Sequence, residues 1–273
     1  MARNGRDSRR RTIGRTVMSF SSEWLSLRAE ADERARNREL AKRLEQHFGN
    51  SKGLRVLDLG SGAGANMRLT SQLLGRDQHW ILTDNDADLL GQIDAEDGVT
   101  FETHQVDLAR EMEAVLDGPF DLITASAFFD LVGKSLIEEI VTATARTGAA
   151  FYTVLTYDGE EEWTPAHPAD EAVHSAFLAD QRSDKGLGAA LGPEATSALA
   201  AAFAAKGYTT FQAKSDWDLS NSRDADLIAA LADGTSDAIR DKVGSIANDW
   251  KQARRTAETV RIGHLDLLAL PPV

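Results

Sequence analysis

The sequence predicts an α/β domain built on a doubly wound, mostly parallel sheet with helical insertions. Three observations predict it: short β-like runs alternate with helical stretches five times, a glycine-rich turn follows the first run, and the composition is that of a folded domain. Of 273 residues, 42% are hydrophobic and 27% charged, which excludes a low-complexity or wholly disordered chain and gives enough length to bury a core without staples. With no cysteine there is no disulfide framework, thiolate metal site or cysteine nucleophile, and a reducing, cytoplasmic setting is expected. The net charge of −13 argues against nucleic acid as a partner and against an anionic membrane surface. No stretch approaches the roughly 18 consecutive apolar residues of a membrane span.

Residues 1–20 carry six arginines against Asp7, so the remainder is more acidic than the whole. Arg15 and Glu23 interrupt any apolar run behind the arginines, so the segment fails as a signal peptide and is expected to be a disordered, solvated tail. Residues 21–273 are expected to form one domain. In 21–53, Leu40, Leu44 and Phe48 recur at helical spacing, predicting one or two leading helices stopped by Gly49, Asn50 and Gly53. Leu54 to Leu59 reads as a buried strand, followed by the glycine turn. Further strands are expected at Trp80 to Thr83, Val99 to Gln105, Phe120 to Ala125 and Ala149 to Leu155. After Val132, Ser135 and Glu138 have capping-box spacing ahead of Leu136, Ile137, Ile140 and Val141. A helix near Pro193 runs through Leu199 and Phe203 to Gly207, and strands follow at Thr209 to Ala213 and Val260 to Leu270. Residues 157–192 and 216–258 are too long for ordinary connections, which usually take about 2–6 residues, and are expected to be lid or acceptor-side insertions. Leu227, Leu231, Ile239, Val243 and Ile246 make the second of these helical.

The turn Asp58-Leu59-Gly60-Ser61-Gly62-Ala63-Gly64 lets the backbone reverse sharply and lets a ligand approach the main chain. Gly60, Gly62 and Ala65 also satisfy the spacing of a dinucleotide-binding turn. Asp58 separates the two: a carboxylate there repels a pyrophosphate and suits a ligand with an ammonium and a sulfonium. Asp84, 20 residues beyond Gly64, can accept from both hydroxyls of a ribose, and Asp107 can accept from an adenine amino group. A plain dinucleotide site does not need Asp107.

Asp58-x-Gly60-x-Gly62-x-Gly64, Thr83-Asp84 and Val106-Asp107-Leu108 resemble the first three cofactor motifs of class I S-adenosylmethionine-dependent methyltransferases, over residues 54–156. The resemblance implies a Rossmann-like sheet of seven strands with the last antiparallel. It also implies S-adenosyl-L-methionine as cofactor, with Asp58, Gly60 and Gly62 at the methionine part, Asp84 at the ribose, Asp107 with Leu108 at the adenine, and Ser61 and Asn85 as further cofactor-binding residues. Asp121 to Ser126 matches the next motif, whose end, at Ser126, faces the transferred methyl. Trp24 and Arg28 are expected to close over the methionine carboxylate.

The reaction implied is in-line displacement onto an acceptor held about 3–3.5 Å from the methyl carbon, for which positioning supplies most of the rate. If the acceptor must lose a proton, Asp130, Tyr157, His167 and His174 are the candidate bases. His167, Asp170, Glu171 and His174 share one helical face in metal-ligand spacing, but Pro168 as first helical residue and two acids in the first turn explain the same pattern, and no metal is assigned. Phe128, Phe129 and Trp163 are core or pocket aromatics, and His104 and His264 are expected as hydrogen-bonded core residues. The chain lacks the Pro-Pro-aromatic motif of amino-directed DNA methyltransferases. The leading expectation is therefore methyl transfer to oxygen or nitrogen of a small molecule. Its rivals are a protein or RNA methyltransferase using the arginine tail, an NAD(P)-dependent oxidoreductase, and a non-catalytic S-adenosylmethionine-binding protein.

Overall fold

Leu54 to Leu59 alternates its side chains between two buried layers, and this run forms the central strand of a computed structural model that describes residues 21–94 and 96–272. The expectation for the basic segment 1–20 lies outside the described residues. Strands β1 (Leu54–Leu59), β2 (Gln78–Asp84), β3 (Val99–Gln105), β4 (Leu122–Ser126), β5 (Ala150–Thr164), β6 (Thr209–Lys214), β7 (Trp217–Ser220) and β8 (Thr259–Leu270) make one sheet. Its order is β3-β2-β1-β4-β5-β8-β6, with the short β7 also paired to β8. The first five strands are mutually parallel and β8 is antiparallel to its neighbours. The seven strands of the long path are those expected. β7 is an eighth strand that the sequence did not announce, because four residues inside a helical insertion show no usable alternation.

On one face Leu57, Leu59, Ile123 and Phe151 pack against α5 (Leu108–Val115), α6 (Lys134–Thr147) and α8 (Ala195–Ala205). On the other, Val56, Leu122 and Tyr152 meet α2 (Arg38–Phe48), α3 (Ala65–Thr70) and Leu90 of α4 (Ala87–Leu90). Leu40, Leu44 and Phe48 are the buried stripe of α2, as their spacing requires. α6 departs from expectation at its start. It begins at Lys134 behind Gly133, without a side-chain cap, and Glu138 pairs with Lys134 rather than reaching back. His104 also departs: β3 is the sheet edge and its ring is exposed beside Glu102.

β5 does not end at Leu155. It bends there, with Leu155 at φ 59° and a shift of register against β8, and continues as a two-stranded arm to Thr164. The amide of Leu155 freed by the bulge donates to Asp266 Oδ1 at 2.9 Å, and the amide of Asn37 donates to Oδ2 at 2.8 Å. One buried carboxyl thus fixes both the bend and the joint between α1 (Ser22–Ala35) and α2.

The arm anchors a third core. Trp163, Val260 and Ile262 from the arm, Trp217 and Leu219 from β7 and Ala31 from α1 pack with α7 (Asp170–Gln181), α9 (Asn221–Val243) and α10 (Ser245–Arg254). The helical prediction for 216–258 holds for α9 and α10. Leu227 and Ile239 are buried while Ile246 is exposed. α7 begins two residues beyond Pro168, because the His167 amide donates to Asp170 Oδ2 at 2.7 Å and its ring Nδ1 accepts from Ala169, so His167 closes the turn ahead of the helix. Among the described residues no helix is long and apolar enough to cross a membrane.

Asp170 holds this third core shut. It accepts from Arg254 Nε and Nη2 at 3.0 and 2.6 Å and from Trp250 Nε1 at 2.8 Å, which together outweigh desolvation and hold its carboxyl below the ordinary range. Arg254 itself is almost completely buried. Asp170→Ala strands that guanidinium and is expected to cost about 3 kcal/mol in urea unfolding. Glu138→Ala, at an exposed i,i+4 pair, should cost no more than about 0.5 kcal/mol.

Candidate active site

The glycine turn opens one end of a cavity of about 490 Å³, within the size range of small-molecule sites. Gly60 at φ 67° and Gly62 at φ 51° have conformations that side chains rarely adopt. They are also crowded: a Cβ on Gly60 would stand 2.9 Å from the Phe128 ring, and one on Gly62 would stand 3.2 Å from Leu25 of α1. The turn is tied to β2 by Ser61, whose amide donates to Thr83 O at 2.9 Å and whose hydroxyl donates to Asp58 O and accepts from the Thr83 amide, each at 3.0 Å.

Asp84 crosses from β2 to the turn. Its Oδ2 accepts from the Gly62 amide at 2.8 Å and its Oδ1 from the Asp86 amide at 3.0 Å, so the carboxylate is fixed at the cavity wall. Asp107 caps α5 by accepting from the Ala109 amide at 3.1 Å, and its other oxygen lies 3.2 Å from Arg110 Nε. A carboxylate offers about four acceptor positions, so both acids retain capacity for a ligand. Gly60, Ser61, Gly62, Asp84, Asn85, Asp107, Leu108, Ser126 and Arg28 all line the cavity.

Asp58 and Trp24 do not. Asp58 has the same strand parity as Val56, so it points into the layer of α3 beneath the turn and is completely buried. There Asn66 Nδ2 donates to its Oδ1 at 2.7 Å and to Thr124 Oγ1 at 3.1 Å, while Asn66 Oδ1 accepts from Arg36 Nη2 at 2.5 Å and from Thr70 at 3.1 Å. Burial dominates these bonds and pushes the Asp58 carboxyl up to about 7.

α1 covers the cavity with Leu25, Ser26, Arg28, Ala29 and Asp32. Arg28 is held by Asp32 through Nε at 2.8 Å and Nη2 at 3.0 Å, and its guanidinium stands 4.9 Å over Trp217. Phe128, Leu131, Lys185 and Leu187 line the cavity also. Asp130 stands between two of these residues in the chain. Its Oδ1 is buried without a partner, and burial pushes its carboxyl up to about 6, opposed by the charge of Arg28.

The other three candidate bases are engaged off the cavity. The Tyr157 hydroxyl donates to Glu161 Oε1 at 2.8 Å, and burial, then the charge of Glu161, drives it well above the ordinary tyrosine range. His174 bonds Gly159 O at 2.8 Å within the same insertion, and His167 serves the turn before α7. Trp163 packs at 5.2 Å on Trp250 in the third core, and Phe129 is fully buried beside Phe128, so of these aromatics Phe128 reaches the cavity.

Sequence reasoning missed Leu89 and Gln92, whose i,i+3 spacing behind β2 was a usable signal, and Asp32, one helical turn from Arg28. It also missed Leu25, Lys185 and Leu187, brought to the cavity by helix placement and a loop.

No family model matches the chain, and no curated protein matches it in sequence. Among solved structures, it is similar to a cyclopropane-fatty-acyl-phospholipid synthase-like protein from Lactobacillus casei, at 14% identity and TM-score 0.54 over 89% of this chain and 92% of that one. It is also similar to an S-adenosylmethionine-dependent methyltransferase from Geobacter sulfurreducens in complex with S-adenosyl-L-homocysteine, at 18% identity and TM-score 0.46 over 93% of this chain and 100% of that one. The first of these shares the fold, a mixed, mostly parallel sheet with helices on both faces.

The folded protein retains a proton on Asp58 that the unfolded chain releases near pH 4, so folding stability is expected to fall as pH rises from about 4 to about 7. Asp58→Asn keeps an acceptor for Asn66 and should flatten urea-unfolding stability across that window. An unchanged slope would show that Asp58 is ionised throughout.

Proposed function

We propose that the protein binds S-adenosyl-L-methionine in the cavity between the glycine turn and α1 and transfers its methyl group to oxygen or nitrogen of a small molecule. The observation that carries this reading is the convergence of Asp84, Asp107 and an open main-chain turn on one cavity beneath a covering helix. When bound, S-adenosylmethionine supplies an electrophilic methyl group on a sulfonium. Asp84 with Asn85 accepts from the ribose hydroxyls, while Asp107 and Leu108 hold the adenine. Gly60, Ser61, Gly62 and Ser126 border the methionine part, and Arg28 takes its carboxylate. Asp58 contributes from below the turn, by holding Asn66 and so the start of α3, rather than by touching the ligand.

Asp130 is the general base of this reading. An unpartnered buried oxygen on the turn between the cavity-lining Phe128 and Leu131, with a carboxyl pushed up to about 6, takes a proton readily while remaining ionised at neutral pH. α1 excludes water from the transfer, and Phe128 with Leu131 bounds the acceptor. The acidic composition favours a small molecule over nucleic acid as acceptor.

Calorimetry tests the cofactor. S-adenosylmethionine should bind and NADH should not, and Asp84→Ala should weaken binding by about 1.5–3 kcal/mol. Incubation with a metabolite extract and mass detection of one added methylene identifies the acceptor. Once it is in hand, kcat/KM should rise with pH through about 6, and Asp130→Asn should remove that limb and lower kcat by about 10²–10⁴ without changing cofactor affinity. Retention of the limb would assign the base elsewhere.

A further inference from the structure

Lys185 lines the cavity from the first insertion, and its side chain is only 13% exposed. A lysine is seldom buried so far unless it is paired, because its ammonium gives up water when the chain closes over it. The main chain fixes its place. The loop that carries it is stitched to the segment after β4, where the Gly133 amide donates to Leu187 O at 2.9 Å and the Leu191 amide donates to Val132 O at 3.0 Å. The fit is close, since a Cβ on Gly133 would stand 3.0 Å from Leu187 O. Lys185 and Leu187 thereby join Phe128 and Leu131 as one wall of the cavity. Asp84 and Asp107 close β2 and β3 on one side of β1, whereas Phe128 and Leu131 follow β4 on the other.

The charge on this wall does not balance. The Lys185 ammonium donates to Asp180 Oδ2 at 2.5 Å, and Lys242 of α9 donates to Oδ1 of the same carboxylate at 3.0 Å. Desolvation raises the Asp180 carboxyl, but the two lysines outweigh it and hold the group below the ordinary range, so one negative charge stands between two positive ones. Lys242 is 39% exposed and has water for its remaining donors. Lys185 has three donors and gives one to Asp180, and at its burial the cavity is where the other two find a partner. The other acids nearby do not serve it: Asp184 Oδ1 accepts from the Gly186 amide at 2.8 Å, and Asp32 is held by Arg28. S-adenosylmethionine brings a further positive charge on sulfur. One surplus charge beside the apolar Phe128, Leu131 and Leu187 matches a monoanion with an apolar body, and the two charges of a phosphate exceed it.

We propose that Lys185 recognises the methyl acceptor, and that the acceptor is an apolar molecule bearing one carboxylate. The inference rests on the methyl-transfer reading. The carboxylate accepts from the donors of Lys185 that Asp180 leaves, and the apolar body lies on Phe128, Leu131 and Leu187. Asp130 takes the proton in that reading and has the same charge as the carboxylate, so the group that loses the proton and the carboxylate are separate ends of the acceptor. Lys185 determines specificity and moves no proton.

The probes share a phenylalkyl body and differ in their heads: 3-phenylpropanoate, its amide, 3-phenylpropylammonium and 2-phenylethyl phosphate, each titrated calorimetrically into the full chain saturated with S-adenosylhomocysteine. The carboxylate should bind at least about tenfold more tightly than the amide, and more tightly than the ammonium and the phosphate. Lys185→Met should remove the preference for carboxylate over amide while leaving the amide unchanged, and Lys185→Arg should restore most of it. Lys242→Met, at the exposed side of Asp180, should keep most of it. Affinity for S-adenosylhomocysteine should be the same in all variants. Lys185→Met leaves Asp180 its bond to Lys242, and if it does not fold, Lys185→Gln decides. The inference is overturned if S-adenosylhomocysteine binds but the carboxylate binds no more tightly than the amide, or if the phosphate or the ammonium binds more tightly. Survival of the preference in Lys185→Met, or its equal loss in Lys242→Met, overturns it too. If S-adenosylhomocysteine itself fails to bind, the methyl-transfer reading falls and this inference falls with it.

Discussion

Asp58 has no exposed surface, yet it stands two residues before a turn that must stay open to a ligand, so its carboxyl has to find partners inside the protein. It finds Asn66, and Asn66 in turn takes hydrogen bonds from Arg36 and Thr70 and gives one to Thr124. The central strand, its neighbour β4, the helix behind the glycine turn and the end of α1 are thereby held by one buried amide. Removing any member leaves a polar group in a low-dielectric interior, which is why such networks specify geometry as well as contribute stability. The position of α1 over the cavity depends on this network, and the cavity has no cover without α1.

The second constraint is the bend in β5. A strand that ended at Leu155 would leave the carboxyl edge of the sheet bare. The bulge, held by Asp266, instead sends β5 and β8 outward as an arm that carries a separate apolar core. That core buries Arg254 against Asp170 and seats Trp217 beneath Arg28. The insertions therefore act through α1: the third core packs against Ala31, and the same helix presents Arg28 and Asp32 to the cavity. One helix links the glycine turn to the aromatic residues of the third core.

Much of the fold was legible because each of its main signals is local. Leu54 to Leu59 and the stripe of Leu40, Leu44 and Phe48 show burial in their apolar pattern alone. The turn was legible because main-chain angles near φ 60° need glycine, and Asp84 and Asp107 because they close strands at fixed distances from it. The lengthening of β5 past Leu155 was not legible. Its signal is the pairing of Glu161 to Thr164 with residues about a hundred positions later, and nothing in the local pattern records that. The capping box of Ser135 and Glu138 misled for a related reason: the preceding Gly133 is drawn into bridges with the loop at Leu187 and Ala190, which sets the start of α6.

The sequence by itself determined the sheet, the site of its ligand turn and the acids that flank it, since strand parity and glycine angles follow from covalent geometry. Only the tertiary structure decided which side each acid faces. Asp58, read as a ligand contact, turns into the α3 layer, and of four candidate bases spread from Asp130 to His174 it commits three to Glu161, Gly159 and the turn before α7 and leaves Asp130 between the cavity-lining Phe128 and Leu131. The physical reason is that a side chain's role is set by what occupies the space around it, and that space is built by segments as distant in the chain as α1 and β8.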